Sequence, residues 1–190
     1  MSQRQTYIDP LALVEAGAEI GRGCMIWNWT KVRKGARLGT DCNVGQCAYI
    51  DAGVVIGDRA KIQNGVSVYH GVRIGDDVFV GPNATFTNDR YPRAHGGDWS
   101  VVETQIEDGA SIGANATIIC GVTIGTHSMV AAGAVVTHDV PAHALVMGQP
   151  ARIVDYIGID GRRLHRDPDA APPTSAELAA LRPDKDTHDE

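Results

Sequence analysis

Three pairs of adjacent polar residues carry hydroxyl, imidazole and amide groups from which a ligand site can be built: Tyr69-His70, Thr87-Asn88 and Thr137-His138. The first two pairs are 18 residues apart, and the third follows the second after 50. A polar segment, TNDRYPRAHGGDWSVVETQ at residues 87–105, begins at the second pair. Polar groups that converge beside a loop able to cover them have the character of a ligand site. Their convergence depends on the elements that hold them.

A period of six residues organises those elements. Aliphatic side chains, and finally a phenylalanine, occupy every sixth position in this series: Ile8, Val14, Ile20, Ile26, Val32, Leu38, Val44, Ile50, Ile56, Ile62, Val68, Ile74, Val80 and Phe86. The spacing resumes at Ile106, 20 residues after Phe86, and continues to Val136. Helices repeat at about 3.6 residues and half-buried strands at about 2, so neither explains this pattern. A fixed hexad is typical of the hexapeptide parallel β-helix, in which three hexads form one triangular coil.

This period converts the sequence into a map, because successive coils lie about 4.8 Å apart and each residue lies beneath the one 18 places later. Asn88 then lies above His70. If the loop replaces one ordinary connection, Ile106 lies above Ile74 and Cys120 lies above Asn88. The three polar pairs would thus share one corner of the prism with the loop. The residues alone also permit the alternative that these are solvated turn residues.

Composition limits the classes of function. The chain of 190 residues has a net charge of -6, which argues against an electrostatic nucleic-acid surface. We find neither a signal-peptide core nor an apolar run of membrane-spanning length, so we expect a soluble, cytoplasmic protein without a membrane partner. Cys24 and Cys42 are one coil apart at an inward position. We interpret them as core-filling thiols rather than as a disulfide or metal pair.

The expected organisation is all-β, with one domain and two terminal segments. Residues 1–141 form the β-helix, with residues 87–105 as its inserted loop. Pro141 ends the solenoid, residues 142–165 pack on it, and residues 166–190 form a flexible tail poor in core residues.

Two short helices are expected beyond the solenoid. The spacing of Ile153, Tyr156 and Ile157 predicts a short packed helix. Farther on, Thr174 or Ser175 is placed to cap a weak helix over the sequence AELAALR. No catalytic or binding role is assigned to the tail.

Five segments carry a resemblance to the hexapeptide-repeat N-acetyltransferases that act on nucleotide-linked 3-amino sugars: IWNWTKV, NVGQCAYI, KIQNGVSVYHGV, DDVFVGPNATFTNDRYPR and AAGAVVTHDVPAHALVMGQPAR. The resemblance covers residues 8–155. FTNDRYPR is closer to members that use dTDP-linked 3-amino-3,6-dideoxyhexoses than to those that use UDP-linked 3-amino-uronates. The resemblance implies a left-handed β-helix, a homotrimer, and acetyl-CoA meeting the sugar in clefts between subunits, without a metal.

The same resemblance implies that Asn88 is the main catalytic residue. An amine that attacks a thioester must present its lone pair in line, and the Asn88 carbonyl could accept a hydrogen bond that orients it. In similar enzymes the departing CoA sulfur receives the proton, so a protein base is not required. His70, which the map places one coil below Asn88, is the reserve candidate for a general base. A backbone N–H near Cys120 or Gly121 is expected to stabilise the oxyanion.

The resemblance also suggests binding residues. For the nucleotide sugar, besides His70, these are Asn64, Tyr69, Arg90 and Tyr91. Arg90 and Arg93 have the guanidinium geometry that pairs with a diphosphate, although both could be ordinary solvated loop residues. For acetyl-CoA, the expected residues are Ala114, Ala132, Thr137, His138, Gln149, Pro150 and Arg152. Gln149 stands where the family usually has asparagine.

Two other functions remain open at this point. A metal enzyme of the carbonic-anhydrase kind needs three histidines, and His138 and His143 have the H-x4-H spacing although Pro141 lies between them. A non-catalytic β-helix module is the second alternative. Zinc content after dialysis would test the first alternative, and thiol release from acetyl-CoA would test the second.

Overall fold

The computed structural model describes residues 5–95 and 100–180. Residues 96–99 of the expected loop and 181–190 of the expected tail lie outside these ranges. The described residues form 22 short strands and one helix, α1 (Ser175–Ala180). The strands are β1 (Tyr7–Ile8), β2 (Leu13–Val14), β3 (Glu19–Ile20), β4 (Met25–Ile26), β5 (Lys31–Val32), β6 (Arg37–Leu38), β7 (Asn43–Val44), β8 (Tyr49–Ile50), β9 (Val55–Ile56), β10 (Lys61–Ile62), β11 (Ser67–Val68), β12 (Val72–Ile74), β13 (Phe79–Val80), β14 (Thr85–Phe86), β15 (Thr104–Ile106), β16 (Ser111–Ile112), β17 (Thr117–Ile118), β18 (Thr123–Ile124), β19 (Met129–Val130), β20 (Val135–Val136), β21 (Ala144–Met147) and β22 (Arg152–Tyr156).

Consecutive strands belong to three different sheets, so each sheet receives every third strand. The first sheet has the order β1-β4-β7-β10-β13-β16-β19-β21-β22, the second β2-β5-β8-β11-β14-β17-β20, and the third β3-β6-β9-β12-β15-β18. Neighbouring strands from β1 to β20 pair in parallel, with partners such as Ile26 and Val44 that are 18 residues apart. This is a three-sided parallel β-solenoid, and the all-β hexad prediction is confirmed.

Two corners of the prism matter for the site. The first corner joins the first sheet to the second and comprises residues 9–12, 27–30, 45–48, 63–66, 81–84, 113–116 and 131–134. The loop corner joins the second sheet to the third and comprises residues 15–18, 33–36, 51–54, 69–71, 87–95, 100–103, 119–122 and 137–139.

Each hexad supplies one two-residue strand and one tight turn. In β13 the side chain of Phe79 faces outward and that of Val80 is fully buried. The turns use a left-handed residue, such as Gly53 with φ of 74° or Asn83 with φ of 57°. Glycine and asparagine adopt this conformation at the lowest cost, which explains their frequency in the turns.

The core is a set of inward-facing columns. Ile26, Val44, Ile62, Val80 and Ile112 occupy one column on the first sheet, and all are 0% exposed. Burying one aliphatic side chain of this size contributes about 1.5–3 kcal/mol, so stability accumulates coil by coil. Cys24 and Cys42 are buried with free thiols, as expected for core fillers.

The long loop leaves the winding intact. Ile74 pairs with Ile106, and Phe86 pairs with Ile118. These partners are 32 residues apart, which is 14 more than the ordinary spacing. The predicted placement of Ile106 above Ile74 is confirmed. Because the loop starts and ends at one corner, the strands on both sides of it keep their inward and outward faces.

The C-terminal segment differs from expectation. The winding continues past Pro141, because β21 pairs in parallel with β19. The short helix predicted from Ile153, Tyr156 and Ile157 is wrong: this region contains β22, which pairs antiparallel with β21. β21 ends the parallel sheet and leaves its outer edge open, and the chain turns back after Met147 to pair with that edge.

The segment after residue 165 contacts the end of the solenoid through Arg166 and Ala170. The Tyr156 hydroxyl donates to the Ala170 carbonyl at 2.8 Å, and Pro173 is buried. The predicted helix cap is confirmed, since Thr174 Oγ1 accepts the Glu177 N–H at 3.3 Å and the Glu177 carboxylate accepts the Thr174 N–H at 2.6 Å. In the part of the chain that the structure describes, no helix is long and apolar enough to cross a membrane.

Candidate active site

The loop corner brings Asn88 and His70 together. Asn88 lies one coil above His70, and its side-chain Nδ2 donates a hydrogen bond to the His70 carbonyl at 3.3 Å. The 32-residue register places Cys120 above Asn88, and the next coil adds His138. The predicted vertical order of this corner is therefore confirmed.

His70 is held through one ring nitrogen. Its Nδ1 lies 2.7 Å from the Ala52 carbonyl oxygen. A carbonyl oxygen only accepts hydrogen bonds, so this geometry requires the proton on Nδ1, and in the neutral imidazole it leaves the lone pair on Nε2. His70 also lines a cavity of about 130 Å³ together with Gly53, Gly71, Val72, Arg73, Val101 and Glu103.

Asn88 is oriented by its own donor group. Because Nδ2 donates to His70, the side-chain oxygen Oδ1 is the atom that can accept a hydrogen bond from a ligand. The Asn88 backbone carbonyl accepts the N–H of Val102 at 3.2 Å, which ties the returning end of the loop to its start. The loop therefore lies against the corner that it was predicted to border.

The loop also supplies Arg90 to this corner. Arg90 Nη2 donates to the Cys120 carbonyl at 3.3 Å. The Cys120 N–H donates to Thr87 Oγ1 at 2.9 Å, and the Gly121 N–H donates to Thr104 Oγ1 at 3.2 Å. Both N–H groups are thus used within the protein, and the expectation that either would stabilise an oxyanion is wrong for this arrangement of the loop.

The other residues predicted to bind the nucleotide sugar occupy different places. Tyr69 lies in the loop corner, where its ring is 5.9 Å from that of Tyr49. Tyr91 lies on the loop and is 79% exposed. Asn64 lies at the first corner, where its side-chain oxygen accepts the Gln46 N–H at 2.9 Å. One chain therefore does not bring Asn64 to Asn88.

The residues predicted to bind acetyl-CoA form two groups. Three of them, Thr137, His138 and Arg152, line a cavity of about 280 Å³ whose other walls are Val136, Asp139, Val140, Val146, Ala151 and Ile153. Thr137 Oγ1 lies 2.9 Å from His138 Nδ1. This cavity adjoins the upper end of the loop corner.

The second group lies at or above the first corner. Ala114 and Ala132 belong to its turns, and Ala132 lines a shallow cavity of about 260 Å³ on the first sheet. Gln149 donates from Nε2 to the Gly133 carbonyl at 2.8 Å, and Pro150 follows it on the surface. The second sheet separates Ala114 and Ala132 from the cavity that contains Thr137, whereas Pro150 directly precedes Ala151 in the wall of that cavity.

The histidine pair considered for a metal site is divided. His138 is exposed at the loop corner. His143 is buried near the end of the solenoid, with Nδ1 3.1 Å from the Ile157 carbonyl oxygen and its ring 5.3 Å from that of His127. Among residues 5–95 and 100–180, no three His, Cys, Asp or Glu side chains are grouped in a way that could hold a metal ion.

Comparison with known proteins identifies the family. The model described as bacterial transferase hexapeptide (six repeats) matches residues 17–52, 53–88 and 103–138, which together make up more than half of the chain. This chain belongs to the bacterial hexapeptide transferases. The expected hexapeptide-repeat relationship is confirmed.

Among the relatives of this hexapeptide transferase is the dTDP-3-amino-3,6-dideoxy-alpha-D-galactopyranose 3-N-acetyltransferase of Aneurinibacillus thermoaerophilus. The two are 46% identical over 156 residues, which cover 82% of this chain and 81% of the relative. A tetrahydropyridine-dicarboxylate N-acetyltransferase of Staphylococcus aureus is 57% identical over 49 residues, but these cover only 26% of this chain and 20% of that protein.

Solved structures of similar proteins contain the expected co-substrate. A histidine-to-alanine variant of the GDP-perosamine N-acetyltransferase of Caulobacter crescentus, solved with CoA and GDP-perosamine, has a TM-score of 0.53 and 26% identity. The match covers 80% of this chain and 57% of that one. A hexapeptide-repeat acetyltransferase of Vibrio cholerae, solved with acetyl-CoA, has a TM-score of 0.51 and 35% identity, covering 60% of this chain and 69% of that one.

Several groups at the corner of this hexapeptide transferase were not predicted as site residues. Asp51 contacts the backbone of His70, Ala52 receives the His70 ring, and Thr104 engages Gly121. The 18-residue map placed Ala52 beneath His70 and Asp51 beneath Tyr69. The use of a carbonyl and a carboxylate as supports was not visible in that map.

Proposed function

We propose that this hexapeptide transferase moves the acetyl group of acetyl-CoA to the 3-amino group of a nucleotide-linked amino sugar. The favoured acceptor is a dTDP-3-amino-3,6-dideoxyhexose, because the Aneurinibacillus relative is named for such a substrate and aligns over 82% of this chain. The observation that carries the proposal is the anchored pair at the loop corner, in which Asn88 and His70 each use a donor internally and leave an acceptor atom.

Two acceptor atoms suit the chemistry of an attacking amine. Asn88 Oδ1 accepts one amine N–H and orients the nitrogen lone pair toward the thioester carbon. His70 Nε2 takes a proton from the amine as the C–N bond forms. The C–S bond then breaks, the proton passes to the CoA sulfur, and the products are the N-acetyl sugar and CoA thiol. Direct transfer of the proton to the sulfur is the alternative route, in which His70 only positions the amine.

A homotrimer would unite the separated binding residues. Asn64, Ala114 and Ala132 stand at the first corner, whereas Asn88 stands at the loop corner of the same chain. In a trimer with clefts between subunits, the first corner of one subunit would face the loop corner of the next. Acetyl-CoA would run along such a cleft toward the cavity containing Thr137 and His138. Arg90 would be available to the sugar-nucleotide diphosphate once it leaves the Cys120 carbonyl.

The proposed location is the cytoplasm. All four cysteines of the chain are free thiols, and a reducing compartment maintains that state. Acetyl-CoA and nucleotide sugars would be supplied by the same compartment.

The test is turnover with matched acceptors. CoA thiol release is measured with acetyl-CoA and, separately, dTDP-3-amino-3,6-dideoxygalactose, its glucose epimer and a UDP-3-amino-uronate. We expect the highest kcat/KM with a dTDP-linked deoxysugar. A preference for the UDP-linked uronate would select the alternative substrate class. The absence of both turnover and CoA binding in calorimetry would refute the enzyme and favour a non-catalytic module.

A further inference from the structure

Asp51 lies one coil below Tyr69 and holds the backbone around His70. Its Oδ2 accepts the His70 N–H at 3.3 Å, and its Oδ1 accepts the Ala52 N–H at 2.8 Å. Ala52 is also the residue whose carbonyl receives Nδ1 of the His70 ring. One carboxylate therefore fixes both the main chain of His70 and the residue that orients its imidazole.

The carboxylate of Asp51 is itself well held. The Tyr49 hydroxyl donates to Oδ1 at 2.9 Å, and Arg33 Nη1 lies 3.6 Å from the same oxygen. Arg33 also donates to the Tyr49 hydroxyl at 3.0 Å and pairs with Glu15 at 2.9 Å. Burial raises the pKa of Asp51, but the hydrogen bonds from Ala52, Tyr49 and His70, helped by Arg33, outweigh it and lower the pKa. Asp51 is thus ionised and acts only as an acceptor at neutral pH.

We infer that Asp51 is a positioning residue for acetyl transfer, acting through His70. This inference rests on the proposed function, since it requires that His70 contacts the reacting amine. An ionised Asp51 keeps Ala52 and His70 in the relative orientation that holds the proton on Nδ1 and presents Nε2 as the acceptor. Charge-assisted hydrogen bonds of this kind are stronger and more directional than neutral ones, which suits them to this task.

The competing explanation is that Asp51 only stabilises a turn. Asp58 provides a matched control for it, because Asp58 Oδ1 accepts the Thr40 N–H at 2.7 Å one coil below. Asp58 lies at the third corner of the prism, where the third sheet joins the first. Asp51→Asn and Asp58→Asn make the same chemical change at two turns. We expect Asp51→Asn to lower kcat by about tenfold to hundredfold, the scale of a small misplacement of a catalytic group, with less than a twofold change in KM for acetyl-CoA. Asp58→Asn should leave both constants within twofold of the wild type. Equal effects of the two variants would overturn the inference.

A double-mutant cycle separates action through His70 from other roles. His70→Ala should lower kcat, and adding Asp51→Asn to it should cause no further loss, because interacting positions are not additive. If the Asp51→Asn loss persists in the His70→Ala background, or if His70→Ala keeps the full rate, Asp51 does not act through His70. The second of these results would remove His70 from the proposed chemistry while leaving the acetyltransferase activity itself demonstrated.

A structural readout completes the test. The ¹⁵N shifts of His70 report which ring nitrogen carries the proton. We expect the Nδ1–H form to dominate in the wild type and in Asp58→Asn, and a mixture of both forms in Asp51→Asn. An unchanged tautomer ratio in folded Asp51→Asn would refute the inference. If that variant does not fold, Tyr49→Phe removes a single donor to the carboxylate and should give a smaller loss, about twofold to fivefold in kcat, that also vanishes in the His70→Ala background. A loss of kcat from Tyr49→Phe that persists in the His70→Ala background would also refute the inference.

Discussion

Replacing Asn88 by alanine should abolish most of the catalysis while leaving the fold almost intact. The variant removes the side-chain oxygen that we propose for the amine, and loss of one positioned transition-state contact costs about 10²–10³ in rate, or about 2.7–4 kcal/mol. Its structural cost is small by comparison. The side chain makes one hydrogen bond to the His70 carbonyl at 3.3 Å, and such bonds contribute about 1 kcal/mol to stability.

The assay compares kcat, KM for acetyl-CoA and the midpoint of urea unfolding for Asn88→Ala with those for Asn43→Ala. Asn43 is a suitable control because it also makes a side-chain hydrogen bond, accepting Trp27 Nε1 at 2.8 Å on the outer face of the first sheet. We expect similar, small losses of stability in both variants and a large loss of kcat only in Asn88→Ala. If Asn88→Ala keeps nearly the full rate while His70→Ala is inactive, the proposal has assigned the main role to the wrong residue.

Two further predictions concern the loop and pH. A Cβ on Gly121, where φ is 87°, would lie 2.9 Å from Val102 Cγ1, whereas one on Gly35, where φ is 79°, would come no closer than 3.8 Å to its neighbours. Gly121→Ala and Gly35→Ala should therefore cause comparable backbone strain, about 1–3 kcal/mol. Only Gly121→Ala should also displace the loop and lower kcat/KM by tenfold or more. Equal kcat/KM values for the two variants would contradict the role of the loop. Burial lowers the pKa of His143 despite its hydrogen bond to the Ile157 carbonyl. As pH falls below about 6.5, the ordinary pKa of histidine, the unfolded state therefore binds more protons than the folded state. Folding stability should for this reason decrease as pH is lowered from 7.5 to 5.5. His143 has a φ of 61°, a left-handed conformation that asparagine also tolerates. His143→Asn should therefore reduce the loss of stability measured by urea unfolding between the two pH values; an unchanged loss would show that His143 is not its source.

The vertical order of the chain could be predicted because it depends on period alone. The placement of Ile106 above Ile74, and of Asn88 above His70, needs only the inward hexad and one corner at which extra residues leave. These features are set by burial of aliphatic side chains, which every coil repeats. The left hand of the solenoid, by contrast, is implied by the resemblance, and the ordinary preference for right-handed crossovers would not predict it.

The predictions that were wrong concern places where a single contact decides between two local structures or two hydrogen-bond partners. Five residues, Arg152–Tyr156, are too few for a period to separate helix from strand, and the open edge of β21 decided the outcome. The N–H groups of Cys120 and Gly121 were expected to face a ligand, but the hydroxyls of Thr87 and Thr104 accept from them. The direction of a hydroxyl depends on how the loop folds back, and spacing in the sequence does not contain that information.

The 32-residue register has an evolutionary consequence. A segment can lengthen or shorten at a corner of the prism without moving any inward side chain, since the strands on both sides retain their partners. Substitutions in residues 87–95 and 100–103 can then accumulate at little thermodynamic risk to the rest of the molecule, and under the proposed function such substitutions would alter the preference for the acceptor sugar. Descendants of one ancestral scaffold could in this way diversify their sugar chemistry while inheriting the same acetyl-donor apparatus.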